Sequence, residues 1–313
     1  MPIKIPNDLP ASKILKEENI FVMDETRALS QRIRPLKLII VNIMPTKIVT
    51  ETQLLRLLSN TPLQIEVDWL CMESHNSKNT SQEHLMEFYK TFNEIKDNKY
   101  DGLIVTGAPV EKLKFEDVDY WNELTNIFDW ANTNVFSSFF ICWASQASLY
   151  YYYGVEKYQL KEKLTGVYHH HTNPEKMRRR ILRGFDYQFY APHSRYTSVK
   201  KEDIEKIDSL DILASSNDAG VYLVAEKDGS RFFVTGHPEY DPDTLDKEYH
   251  RDLAKGGDCV MPKNYYKNDD VNDEILVKWR SHAYLLFSNW LNYYVYQNTP
   301  YNLDDLEKMK TPQ

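Results

Sequence analysis

The stretch Phe139–Gly154, FFICWASQASLYYYYG, decides how the rest of the chain is read. Together with the residues before it, Val135–Ile141 forms a largely apolar run rich in aromatic and β-branched side chains, the pattern of a buried strand. Ala144–Tyr153 reads as a helix, and Gly154 suits its C-terminal cap. Cys142 therefore falls at a sharp strand-to-helix turn. Two readings of it are open. Free cysteine is a small residue often buried as packing. At the first turn of a helix, however, unpaired N–H groups and the positive end of the helix dipole stabilise a thiolate. A nucleophile elbow has this geometry, with the next N–H, that of Trp143, available to an oxyanion hole.

Working outward, strands and helices alternate through the first half. Leu36–Asn42 is a continuous apolar strand, Thr46–Ser59 carries apolar residues at helical spacing, and Gln64–Leu70 alternates as a second strand. Thr80–Glu83 (TSQE) has the form of a capping box and predicts a helix through Ile95. Gly102–Thr106 is a short buried strand ended by Gly107-Ala108-Pro109, and Glu116–Ala131 is helical. Such alternation means βαβ units and a parallel sheet, with ligand chemistry at the strands' carboxyl ends. The second half changes character. Asp211–Ser215, Gly220–Glu226 and Ser230–Thr235 are short strands, the last two joined by Asp228-Gly229, a hairpin signal, and Asp243–Leu253 and Glu274–Gln297 are helical. The expectation is one α/β domain over 35–297: doubly wound, mostly parallel, flanked by helices, with added antiparallel strands. Residues 1–34, with Pro2, Pro6 and Pro10, read as an extended arm, and 298–313 as a polar tail.

Composition narrows the functions. The 313 residues hold ample core for one large domain, and a net charge of -8 argues against a general nucleic-acid binder. Cys71, Cys142 and Cys259 are too scattered for a disulfide framework or a zinc site, so a reducing compartment is expected. No segment approaches the ~20 apolar residues of a membrane span. A cytoplasmic protein with no membrane association is expected.

Beyond Cys142, two constellations carry chemistry. In GHPEYD, His237 and Glu239 stand two apart on an extended segment directly after the apolar strand FFVT. They can lie on one side, where the carboxylate orients the imidazole. A cysteine, a histidine and a carboxylate at adjacent strand ends make a nucleophile, its base and the base's orienter. The turn Thr106–Pro109 lies one strand from the elbow, and its backbone N–H groups, at Ala108 above all, can supply the second oxyanion donor. Other clusters are bland. Consecutive His169, His170 and His171 point to opposite faces of an extended segment, so no metal is expected. Lys176–Arg180 reads as a solvated loop.

FICWASQASLYYYYGV, TGVYHH, APHSRY, GHPEYDPDTLDKEYHRD and WRSHAYLLFSNWLNYYVYQNTPY together resemble the homoserine O-acyltransferases of methionine biosynthesis. The amino-terminal strings MPIKIPNDLPA, IRPLKLIIVNIMPTKIVTE and DGLIVTGAPVE match the same family. The resemblance spans nearly the whole chain, and it implies a flavodoxin-like fold similar to class I glutamine amidotransferases. It implies that Cys142 is the acyl-thioester nucleophile, His237 the general base and Glu239 its orienter. Lys163, Ser194 and Arg251 match substrate-contacting positions, Arg251 having the forked geometry for the homoserine carboxylate. Lys47 is expected to stabilise the site. Acetyl-CoA and L-homoserine are the implied substrates, with no further cofactor, and a homodimer is expected.

The acyl donor turns on Glu111, in TGAPVEKLKF. In the resembled family, acetyl users carry Glu there and succinyl users Gly. The physics agrees, since two like charges ~4 Å apart at an effective dielectric of ~20 cost roughly 4 kcal/mol. Acetyl-CoA is therefore the expected donor and succinyl-CoA the alternative. Two other classes stand as rivals. A glutamine amidotransferase would show a G-x-C-x-G elbow, whereas Phe140 and Ala144 flank Cys142 here. In a non-catalytic binding module, Cys142 would be packing.

Overall fold

Strands in the first half form because their side chains have two dry faces to fill. The computed structural model describes residues 3–5, 9–17, 22–24, 34–75, 79–256 and 259–306. Its strands are β1 (Ile3–Ile5), β2 (Val22–Asp24), β3 (Leu36–Val41), β4 (Ile65–Leu70), β5 (Tyr89–Lys90) and β6 (Tyr100–Val105). Then follow β7 (Val135–Ile141), β8 (Lys157–Thr172), β9 (Gln188–Val199), β10 (Leu210–Ser216), β11 (Gly220–Glu226) and β12 (Arg231–Val234). The helices are α1 (Pro10–Glu17), α2 (Lys47–Leu58), α3 (Gln82–Phe88), α4 (Phe92–Ile95) and α5 (Trp121–Asn134). After these come α6 (Trp143–Tyr153), α7 (Lys201–Glu205), α8 (Thr244–Ala254) and α9 (Arg280–Trp290).

All strands join one sheet in the order β2-β1-β4-β3-β6-β7-β12-β11-β10-β8-β9, with β5 also on β4. Pairings from β2 to β12 are parallel; those from β12 through β11, β10 and β8 to β9 are antiparallel. The mostly parallel, doubly wound sheet with an antiparallel second half is as expected. Side chains alternate between the sheet's two faces. Leu38, Ile40, Ile104, Phe139 and Ile141 pack with Phe287 and Trp290 of α9 on one face. Ile39, Val41, Leu103, Val105 and Phe140 pack with α5 and α6 on the other. Each fully buried Leu, Ile, Val or Phe side chain of this kind contributes about 1.5–3 kcal/mol.

Several boundaries differ from the sequence reading. The helix expected from Thr80 to Ile95 is two helices, interrupted by β5, and Ser81 rather than Thr80 caps the first by accepting from the His84 N–H. The reciprocal capping box sits at Thr91 and Glu94 instead, and it starts α4. Glu274–Gln297 is helical only from Arg280, because Ile275 bridges to Tyr266 and the Leu276 N–H bonds the Tyr265 carbonyl. The amino-terminal residues do not form a free arm: β1 pairs with β2 and with β4. Pro2 and Pro6 lie outside the described residues. The polar tail also folds back as far as Leu306, which is fully buried, while Arg34 bonds the Pro300 and Tyr301 carbonyls. Residues 307–313 lie outside the described residues.

Candidate active site

Three adjacent parallel strands, β6, β7 and β12, end together, with Val105 paired to Phe140 and Ile141 to Val234. Each strand delivers one part of a site. From β7 comes Cys142, whose backbone is held at φ 52 and ψ -114, a conformation rare for a residue with a side chain. Such strain persists only where neighbours enforce it. The Cys142 N–H bonds the Val234 carbonyl at 2.7 Å, and the Cys142 carbonyl accepts from the Ser145 hydroxyl at 2.7 Å and the Ser145 N–H at 3.0 Å. The side chain is thereby raised at the N-terminus of α6, in the field of the helix dipole. Trp143 opens the helix, so its N–H is among the donors the first turn leaves unpaired. Its indole packs away from the cavity against Phe115 and Tyr120.

From β12 comes His237. Its Nδ1 lies 2.6 Å from Glu239 Oε1, both residues are buried, and its ring stacks on Tyr240 with centroids 4.1 Å apart. Burial alone would lower the histidine's pKa. The Cys142 thiolate and the Glu239 carboxylate outweigh it, and the pKa stands well above the ordinary value. With Nδ1 on Glu239, Nε2 is left for Cys142, whose hydrogen bond helps hold the imidazolium. From β6 comes the turn 106–109. A Cβ on Gly107 would stand 3.2 Å from Cys142 Cβ and 3.3 Å from His237 Cε1. The glycine lets this turn close directly over the pair. Ala108 lines the same cavity.

That cavity is about 520 Å³, and its wall includes Cys142, His237, Glu111, Lys163, Ser194 and Arg251. Lys163 reaches Asp252 at 2.9 Å and Glu248 at 3.6 Å. Its burial is outweighed by these carboxylates, and its pKa is raised. Ser194 donates to Glu248 at 2.5 Å, and the Tyr240 hydroxyl donates to the other Glu248 oxygen at 2.9 Å. Arg251, half exposed, bonds Asp252 at 2.8 Å and presents its guanidinium to the cavity. Glu111 is half-buried, and its carboxylate accepts its own backbone N–H. Burial raises its pKa, opposed by that hydrogen bond and by His237 and Lys163.

Lys47 stands behind the cavity rather than in its wall. It begins α2 next to the cavity-lining Thr46, but its ammonium turns into the core and donates to the Asn42 carbonyl. Burial lowers its pKa to about 8, opposed by Cys71 and Glu51. The fully buried Glu51 accepts from Tyr89 at 2.7 Å and pairs with His84 at 2.9 Å. Lys47 therefore steadies the root of α2 and does not line the cavity.

Three polar groups at or behind the site escaped the sequence reading. Glu248 lies three residues before Arg251 on α8, a spacing that puts both on one helix face. Gln146, one turn along α6, exchanges hydrogen bonds with Thr197 at 2.8 and 3.2 Å. Arg195, 1% exposed, donates to the Thr197 and Ala219 carbonyls and to His193 Nδ1. Burial lowers the Arg195 pKa, and the Cys142 thiolate is the foremost group holding it up. That hydrogen bond leaves His193 Nε2–H to donate to His170 Nε2, 3.0 Å away, while His170 Nδ1–H donates to the Tyr168 carbonyl. His170 thus supports Arg195, and no group suited to hold a metal occurs among the described residues. The basic loop is structural: Lys176 pairs with Asp211, and Arg179 bonds the Glu226 and Lys227 carbonyls.

Comparison with known proteins gives a consistent picture. The family model described as homoserine O-succinyltransferase matches residues 2–301. A homoserine O-acetyltransferase of Catenibacterium mitsuokai is 73% identical over 311 residues, covering 99% of this chain and 100% of that protein. A homoserine O-acetyltransferase of Petrotoga mobilis is 59% identical over 308 residues, 98% of this chain and 99% of its own. Among solved structures, a glutamine amidotransferase from Thermotoga maritima superposes with a TM-score of 0.53 at 12% identity, covering 83% of this chain and 98% of that one. One from Methylobacillus flagellatus gives 0.51 at 11% identity, covering 83% and 94%. At such identities the likeness is one of fold.

Proposed function

This chain belongs to the homoserine O-acyltransferase family, and we propose that Cys142, His237 and Glu239 carry out the family's chemistry in it. The activity is transfer of an acetyl group from acetyl-CoA to the hydroxyl of L-homoserine, an acyltransferase step of methionine biosynthesis. One observation supports the residue roles above others: nucleophile, base and orienter meet at the ends of neighbouring strands, buried under a turn that fits only glycine closely.

In the first half-reaction the Cys142 thiolate attacks the acetyl carbonyl carbon. Oxyanion donors at Trp143 and Ala108 stabilise the tetrahedral species. Its collapse breaks the bond to the CoA sulfur, which takes the proton from the His237 imidazolium. CoA leaves, and Cys142 holds the acetyl group as a thioester. Homoserine then enters, its carboxylate toward Arg251 and its ammonium toward the Glu248–Asp252 carboxylates that flank Lys163. The homoserine hydroxyl gives its proton to neutral His237 while its oxygen attacks the thioester. Thiolate is expelled, and O-acetyl-L-homoserine forms. A thioester suits this exchange because its carbonyl stays electrophilic towards a modest alcohol.

Glu111 supports acetyl over succinyl as the group transferred. It lines the cavity that holds Cys142, so it fills space where a longer tail would lie and sets a carboxylate against one. Burial moderates its charge, and the bulk remains whatever its protonation. No cofactor beyond the co-substrate is needed for these steps. No described helix is long and apolar enough to cross a membrane; a cytoplasmic homodimer completes the proposal, to be checked by light scattering.

The deciding test is intact mass after incubation with acetyl-CoA alone. The expected result is one acetyl adduct, mapped to Cys142, discharged by homoserine and absent from Cys142→Ala. Turnover by the alanine variant would overturn the assignment.

A further inference from the structure

The helix carrying the elbow stops where Gly154, at φ 70, turns the chain back, with its N–H on the Tyr150 carbonyl at 2.8 Å. Three residues later Lys157 opens β8, paired with Val199 of β9. Its ammonium does not run into solvent. It donates to the Glu111 carbonyl at 2.8 Å and to the Leu113 carbonyl at 2.5 Å, and it lies 4.2 Å from the Phe115 ring centroid. We propose that Lys157 is the positioning residue for acyl-donor selection: by clamping the 111–113 backbone it fixes where the Glu111 carboxylate stands beside Cys142. The proposal rests on the acetyl-transfer reading given above.

The chain of contacts is short. Lys157 holds the carbonyl of Glu111, and Glu111 holds its own carboxylate through its own N–H. Holding the Glu111 carbonyl therefore fixes the backbone from which the carboxylate side chain departs. Residues 112–114 are exposed, whereas Phe115 is buried and stacks on Tyr150 of the elbow helix at 4.9 Å. One end of the loop is thus anchored by an aromatic contact; the end that faces the cavity is held by the lysine. Charge-assisted hydrogen bonds to two carbonyls are the stronger kind, with direction as well as energy. The Glu111 carboxylate in turn helps to keep the half-buried ammonium charged, against the effect of burial. Removing the ammonium loosens the wall. A loosened wall admits a longer, anionic acyl tail.

The test is the ratio of kcat/KM for acetyl-CoA to that for succinyl-CoA in Lys157→Met. This variant keeps an unbranched side chain over Phe115 and removes only the donor. A displacement of about an ångström in a site can change rates by 10²-fold, so the ratio is expected to fall at least about tenfold. KM for acetyl-CoA should rise, while KM for homoserine and the melting temperature hold. Lys157→Arg, which can still donate to both carbonyls, should recover most of the ratio. An unchanged ratio in Lys157→Met overturns the proposal, and so does an equal loss with both donors accompanied by a fall in melting temperature. Should the methionine variant not fold, Lys157→Gln is judged by the same ratio. If the unmodified protein forms no acetyl thioester, the functional reading fails and the proposal falls with it; a selective parent with an equally selective variant sinks the proposal alone.

Discussion

Gly107→Ala should slow catalysis about tenfold while leaving the fold in place, and the size of the effect can be worked from the contacts. Gly107 has no positive φ, so alanine meets no backbone strain there. The new methyl would stand 3.2 Å from Cys142 Cβ and 3.3 Å from His237 Cε1. Carbon atoms rest at about 3.5–4.0 Å, so each neighbour is too close by at least ~0.2 Å. Neither can retreat freely. Cys142 is tethered through its N–H to Val234, and His237 is held between Glu239 and the Tyr240 ring. The strain must therefore spread Cys142 from His237 or lift the turn that carries Ala108, the proposed oxyanion donor. Misplacement by an ångström can cost 10²-fold; a few tenths on both partners should cost about tenfold, or about 1.4 kcal/mol of barrier. Overpacking should lower stability by about 1–3 kcal/mol. Single-turnover formation of the acetyl-enzyme reads the first effect and calorimetry the second. Acylation at the parent rate in a folded Gly107→Ala protein would show that the turn does not close on the catalytic pair.

Two further outcomes follow from the same geometry. Glu111→Gly removes both bulk and charge from the acyl wall, so succinyl-CoA should become a substrate while homoserine KM is unchanged; a variant as selective as its parent would move donor choice elsewhere in the cavity. Transfer from preformed acetyl-enzyme to homoserine should rise with pH until His237 is neutral, and His237→Asn should flatten that rise as well as slow the step. A pH-independent transfer limb in the parent protein would remove His237 as the base.

The strands β3, β6 and β7 were legible because both their faces are dry, which leaves continuous apolar runs such as LKLIIV and FFI. The β8–β9 ribbon was not. KYQLKEKLTGVYHHHT is half exposed, shifts register between Gln159 and Leu164, and is a strand because β9 pairs with it rather than through its own pattern. The break between α3 and α4 did leave a mark, since Thr91–Glu94 is a second capping box, but the earlier TSQE competed for the same reading. At the site, Cys142 and the His237–Glu239 pair were legible because each directly follows an apolar strand. Glu248 was hidden by its helix: TLDKEYHRDLA is polar nearly all round, so one functional carboxylate looks like any solvated charge. Arg195 was hidden for the opposite reason. Nothing in APHSRYTSV says that its arginine is buried, because the carbonyls that receive it come from Thr197 and from Ala219, far along the chain.

In the mechanism proposed above, these charges account for one histidine serving two half-reactions. In the free protein the groups that raise the His237 pKa are the Cys142 thiolate and then Glu239, against the cost of burial. An imidazolium is what the first half-reaction needs, since the departing CoA sulfur must be protonated. Acetylation then converts the thiolate to a neutral thioester. The larger of the two supports disappears, while burial and Glu239 remain. The His237 pKa falls from its raised position as that support goes, which favours the neutral ring that homoserine needs as its base. Arg195 feels the same event in reverse, losing the group that most supports its charge and keeping neutral hydrogen-bond partners with the weaker support of Glu111. A buried guanidinium left in that state favours return of the thiolate, and so favours passing the acetyl group on over retaining it. In that proposal the order of the two steps follows from the charge of one sulfur atom and the groups arranged to respond to it.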